Sequence, residues 1–132
     1  MKQNLNNQQV GNVGLYYSCL LLTQHGWLAF PTVRNTKGAD IYAIHPESPE
    51  KAIPIQVKTI SKETPVPMGN WKNRTEKYLF VVVGIEKPKL YFTKTRDILD
   101  KVIERNVKNG KTSYWLSKKH WKQFHQDLTE FP

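Results

Sequence analysis

Gly38-Ala39-Asp40-Ile41-Tyr42-Ala43 and, after a short polar turn, Ile53-Pro54-Ile55-Gln56-Val57-Lys58-Thr59 decide the fold. Both stretches read as β-strands. Strand side chains alternate between faces, so Gln56 and Lys58 share one face and Ile55 and Val57 the other, apolar one. If the strands are neighbours, Asp40, Gln56 and Lys58 meet at one point. A carboxylate, an amide and an ammonium on an otherwise hydrophobic β unit need a reason to be there. Binding a divalent metal and a phosphate supplies one.

Outward from this unit, residues 8 to 25 read as a helix. Val10, Val13, Tyr17, Leu20 and Leu21 recur at helical spacing and Gly26 stops it. Leu15, Tyr16, Cys19 and Leu22 make the helix apolar nearly all round, which predicts burial on more than one side, within the domain or between subunits. Trp27 to Val33 reads as the strand before the Asp40 unit. Residues 60 to 76 lack periodicity and read as a long loop. Tyr78 to Ile85 is apolar throughout, as in a sheet centre covered on both faces. Leu90 to Thr93 returns as a hairpin strand. Thr95 reads as the cap of a helix from Arg96 to about Val107, with Ile98, Leu99, Val102 and Ile103 as its buried stripe. Ser113 to Leu116 is a short strand or connector. Ser117 reads as the cap of a last helix carrying Trp121, Phe124 and Leu128. This order predicts an α/β sandwich, a mixed central sheet flanked by helices. With 132 residues, the chain is expected to form one domain spanning 1 to 132.

The balance of 20 Lys plus Arg against 11 Asp plus Glu gives a formal charge of +9, which favours polyanionic partners, nucleic acid first. The polar, amide-rich start has no signal-peptide character, and no apolar run approaches the ~20 residues of a membrane helix. The one cysteine, Cys19, makes no internal disulfide and reads as a buried, inert thiol. The expected setting is therefore a reducing, cytoplasmic one, away from membranes. No His/Cys cluster has zinc spacing. No nucleophile elbow, phosphate loop or dinucleotide fingerprint is present.

A metal-dependent nuclease needs oxygen ligands that hold Mg²⁺ beside the scissile phosphate, and a cation at the reacting centre. Asp40 can be the carboxylate ligand. The side-chain oxygen of Gln56 and the carbonyl of Val57 can complete the set, and Lys58 can reach the same phosphate. The plainer alternative is that Asp40 caps a turn and Lys58 is a solvated strand residue. A second group of residues could hold the nucleic acid. The stretch from 105 to 126 carries Arg105, Lys108, Lys111, Lys118, Lys119 and Lys122 and no acid. The long loop adds Lys62, Trp71, Lys72, Arg74 and Lys77. Lysines and arginines neutralise phosphates, and Trp71 could stack on a base or, alternatively, close over the core.

The strings Gly38-Ala39-Asp40-Ile41 and Ile55-Gln56-Val57-Lys58-Thr59 resemble the PD-(D/E)XK, or restriction-endonuclease-like, nucleases. They are most similar to a branch with Gln-Val-Lys-Thr in place of Glu-x-Lys. That branch includes intron-encoded homing endonucleases and relatives of Holliday-junction resolvases. The resemblance covers residues 8 to 93. It implies a metal-dependent endonuclease that hydrolyses DNA, working as a homodimer or larger oligomer, with Mg²⁺ that Mn²⁺ can replace. Asp40, Gln56 and Lys58 are the implied catalytic residues, and Asp40, Gln56 and Val57 the implied metal ligands. Lys62, Trp71, Lys72, Arg74, Lys118 and Lys119 are the candidate DNA contacts. The sequence departs from the family pattern at three places. Ala39 stands where the family has Pro, Leu15 where many relatives carry a helix Glu, and Gln56 where most carry an acid. Asp40 is left as the one carboxylate, so a catalytically silent nuclease fold that binds nucleic acid or a protein is the alternative.

Overall fold

A computed structural model describes residues 4–33, 38–69, 71, 76–106, 110 and 112–132. The candidate DNA contacts Lys72 and Arg74, together with Lys108, Lys111 and residues 34–37, lie outside the described residues.

Helix α1 (Asn7–Gln24) opens on a reciprocal cap. The Asn6 side chain accepts from Gln9 N, and the Gln9 side chain accepts from Asn6 N. The strands are β1 (Leu28–Pro31), β2 (Ile41–Ile44), β3 (Ala52–Ile60), β4 (Val66–Pro67), β5 (Tyr78–Val83), β6 (Lys89–Lys94), β7 (Ile103–Asn106) and β8 (Thr112–Leu116). Helix α2 (Lys118–Trp121) is a single turn.

The main sheet has the order β1-β2-β3-β5-β6, and a smaller one the order β4-β8-β7. In the main sheet only β3 and β5 run parallel. The α/β sandwich with a mixed sheet expected from the sequence is the observed fold. Pro54 sits inside β3 without breaking it. Neighbouring residues of a strand direct their hydrogen bonds to opposite sides, and Pro54 faces the β5 side before β5 begins opposite Ile55. Its carbonyl still accepts from Lys77 N at 3.0 Å.

Two cores lie on the two faces of this sheet. On one, α1 and the C-terminal residues Leu128 and Phe131 cover Ile41, Ile55, Phe80 and Phe92. On the other, the small sheet and α2 cover Ile60, Leu79, Val81 and Tyr91 with Met68, Trp71 and Trp121. From Tyr78 to Val82 every residue of β5 is buried, as its apolar run predicts.

Two expectations need correction. The segment read as a helix over 96–107 holds a 3-10 turn, Thr95–Ile98, followed by strand β7. The last helix stops at Trp121, and a separate 3-10 turn carries Leu128. The α1 face around Leu15, Cys19 and Leu22 is covered within the domain, one of the two arrangements its apolar pattern predicts. Leu22 is fully buried, and Leu15 and Cys19 pack against the first core. Desolvation there pushes the Cys19 thiol up, in keeping with an inert thiol. Tyr16 and Leu20 are the large apolar side chains of α1 that face out.

Candidate active site

Asp40 is fixed by its backbone before its side chain does anything. Gly38 takes φ +109°, a value that favours glycine, and turns the chain into the start of β2. Asp40 N then donates to Ile55 O at 2.9 Å, and Asp40 O accepts from Thr32 N at 2.9 Å. Thr32 Oγ1 adds a bond of 2.8 Å to Ala39 O. The residue is clamped between the end of β1 and the middle of β3.

From there its carboxylate reaches β3. Asp40 Oδ2 accepts from Gln56 Nε2 at 2.7 Å and from Val57 N at 2.8 Å. The expected meeting of Asp40 with the Gln-Val-Lys strand is therefore observed. Gln56 and Lys58 lie in register with Leu79 and Val81, so they share the face of the second core, away from α1. Asp40, Gln56 and Lys58 are each half-buried and engaged within the fold.

The Val57 N–H points at Asp40, and the carbonyl of a strand residue leaves on the same side as its N–H. One carboxylate, one amide side chain and one main-chain carbonyl thus converge. These are hard oxygen donors, and Mg²⁺ is commonly held by one or two carboxylates together with water and substrate phosphate. Gln56 turns its nitrogen to Asp40, so the set would fit such an ion once that amide is reversed. Among the described residues no group of three or more His, Cys, Asp or Glu side chains forms a metal cluster.

Leu15, which the resemblance sets where many relatives carry Glu, packs against the first core. Its neighbour Gly14 has a packing role. A Cβ there would overlap the Thr59 side chain, so the missing side chain lets α1 lie close on β3 next to Lys58. Sequence reasoning missed Thr32, because it belongs to no motif and matters only through its bonds to Ala39 and Asp40 across the strand pair.

The expected DNA contacts fare unevenly. Trp71 is 9% exposed and belongs to the second core, so it closes over the fold and offers no ring for stacking. Lys62 and Lys119 are exposed. Lys118 and Lys122, acid-free in sequence, meet Glu63 at 3.7 and 2.5 Å. The Lys122 hydrogen bond is the main reason that the Glu63 carboxyl is held below its ordinary range, and Lys122 is raised in return. Part of the basic surface is therefore neutralised from within. Among the described residues no helix is long and apolar enough to cross a membrane.

No protein-family model matches the chain, and no curated protein matches it. Among solved structures, the chain is similar to Hjc, a Holliday junction resolvase of the archaeal hyperthermophile Archaeoglobus fulgidus. The match has a TM-score of 0.58 and covers 90% of this chain and 93% of that one, at 11% sequence identity. The likeness is one of fold, and it agrees with the restriction-endonuclease-like sandwich expected from the Asp40 and Gln-Val-Lys strands.

Proposed function

We propose that the chain is a metal-dependent endonuclease that hydrolyses phosphodiester bonds in DNA. The observation that carries this reading is the Asp40 carboxylate held by Gln56 Nε2 and Val57 N, with Lys58 on the same face. The fold shared with a Holliday junction resolvase supports it. Asp40, the Val57 carbonyl and the Gln56 amide oxygen, after reversal of that amide, would hold Mg²⁺ or Mn²⁺. Such an ion supplies an activated water and a counter-charge for the phosphate. Lys58 places a cation where charge grows on the scissile phosphate, which contributes chiefly in the transition state. Lys62 and Lys119, with Lys72 and Arg74, would neutralise the backbone of the substrate. Cutting both strands calls for two copies, so a homodimer or larger oligomer is part of the proposal. Its interface would use residues other than the covered face of α1, and light scattering at micromolar concentration tests it.

The central experiment incubates the protein with plasmid, branched and single-stranded DNA in Mg²⁺ or Mn²⁺. Asp40→Asn is expected to abolish cleavage while DNA binding persists. Lys58→Ala is expected to lower the rate more than the affinity. Gln56→Glu adds a second carboxylate and is expected to lower the Mg²⁺ concentration giving half-maximal rate. DNA affinity is expected to fall by orders of magnitude between about 50 and 200 mM salt if several phosphates are contacted. Equal background cleavage by wild type and all three variants would overturn the enzyme reading and leave a silent nucleic-acid-binding fold.

A further inference from the structure

A cavity of about 500 Å³ opens where β5 begins and β6 ends. Its lining includes Glu76, Lys77, Tyr78, Lys94, Arg96 and Leu99. Main-chain bonds fix its frame. Lys77 N donates to Pro54 O at 3.0 Å, and Thr95 N donates to Lys77 O at 2.9 Å. Tyr78 stands opposite both Ile55 and Lys94 in the sheet. The Tyr78 and Lys94 side chains therefore lie on the face turned away from Gln56 and Lys58. A phosphate held by Lys94 therefore lies across the sheet from Gln56 and Lys58.

We infer that this cavity binds a nucleoside monophosphate, either as a free nucleotide or as the phosphorylated end of a strand. The volume is in the range of roughly 300–1,000 Å³ that small ligands occupy. Three cations, Lys77, Lys94 and Arg96, stand against one carboxylate in the lining, so an anion is favoured. The guanidinium offers a planar fork matched to phosphate, and the two ammonium groups add point charge. Asp97 lies 3.9 Å from Arg96, but both side chains are well exposed, 59% and 75%, and such a pair is weak.

The remaining lining argues for more than a bare anion. Glu76 is 7% exposed, an unusual burial for a carboxylate beside cations. It is engaged within the fold, yet a carboxylate accepts at about four positions. It can therefore receive a sugar hydroxyl or a base amino group while the phosphate lies on the cations. Tyr78 and Leu99 supply apolar surface for the rings. Desolvation raises the Tyr78 phenol, the Arg96 charge lowers it and the Asp97 charge raises it, so both members of that exposed pair stand within electrostatic reach of the hydroxyl.

The test is binding in EDTA, so its outcome is independent of whether the Asp40 site cuts DNA. Calorimetry with the full chain compares the four deoxynucleoside 5′-monophosphates, their nucleosides and inorganic phosphate. A second arm compares oligonucleotides with 5′-phosphate and 5′-hydroxyl ends. At least one monophosphate is expected to bind about tenfold or more tighter than its nucleoside and than phosphate alone. The double substitution Lys94→Ala, Arg96→Ala, at two exposed side chains, is expected to remove that difference with an unchanged melting temperature. Preference for the 5′-phosphate end by a similar factor, with or without binding of free nucleotide, assigns the site to strand ends. Free binding without such a preference assigns it to nucleotides. Absence of both, phosphate binding as tightly as every nucleotide, or a double variant that binds like wild type would each overturn the inference.

Discussion

The two faces of the main sheet are built to different standards. On the α1 face, Ile55 and Phe80 are fully buried, and the rings of Trp27, Tyr78, Phe80 and Phe92 each stand 4.8–6.1 Å from the ring of Phe131. The helix lies so near β3 that Gly14 leaves no room for a methyl group. On the other face the cover is a small sheet, a single helical turn and the rings of Trp71 and Trp121. There β3 presents Gln56 and Lys58, half-buried, instead of aliphatic side chains. A face that carries an amide and an ammonium cannot be sealed with apolar side chains alone, because buried polar groups need partners. One side of β3 packs chiefly apolar side chains, and the other combines a second core with the half-buried Gln56 and Lys58.

The contrast can be broken by substitution, and the largest effect is expected on the less regular face. Trp121 is fully buried, and its Nε1 donates to Thr64 O at 2.9 Å. Trp121→Ala is expected to cost about 3–5 kcal/mol, read by urea denaturation followed by circular dichroism. A loss below about 1 kcal/mol would mean that the second face is not a true core.

Gly14→Ala comes next. Alanine favours a helix by about 1 kcal/mol over glycine. The overlap with Thr59 is nevertheless expected to dominate, for a net loss of about 1–3 kcal/mol. A neutral or stabilising result in the same denaturation assay would show that α1 can shift away from β3 freely.

Thr59 offers a smaller effect of opposite sign. Its Oγ1 is buried without a hydrogen-bond partner. Thr59→Val keeps the shape and removes the orphan hydroxyl, with an expected gain of about 1 kcal/mol. A loss would indicate that the hydroxyl has a use the helix face conceals.

Smallest is the exposed pairing of Glu63 with Lys118 and Lys122. The folded-state pKa of Glu63 is lowered, so its contribution is present above the ordinary carboxylate value and lost as pH falls through the lowered one. Lys122 is raised, so its share is lost only as pH rises through its raised value. Glu63→Gln is expected to flatten the acid limb of a stability–pH curve slightly while leaving mid-range stability nearly unchanged. An unaltered acid limb would remove the pair from the account.

The same division governs what was legible in the sequence. Alternation in Ile55-Gln56-Val57-Lys58 assigns faces directly, and Tyr78 to Val83 reads as a central strand, because both signals are local. Asp40 was found through its spacing from Gln56. The second face depends on partners far along the chain. Ile98, Leu99, Val102 and Ile103 keep helical spacing, yet Leu99 is 61% and Ile103 48% exposed, and the chain instead pairs with Thr112–Leu116. Val66 and Pro67 become a strand only because β8 lies beside them. The stretch from 105 to 126 holds no acid, and nothing near Lys122 in sequence announces that Glu63 will meet it. Trp71 could be read as exposed or enclosed until the second core was in view.

The Val57 N–H donates to a carboxylate where a strand amide ordinarily donates to a carbonyl. That single proton is a resident spin label for the site. Its resonance in a ¹⁵N-correlated spectrum depends on how much negative charge Asp40 Oδ2 lends it. A cation that draws on the same carboxylate, or acid that protonates it, must move that peak. Occupancy of the site can therefore be followed in a magnet, one amide at a time, with neither substrate nor turnover.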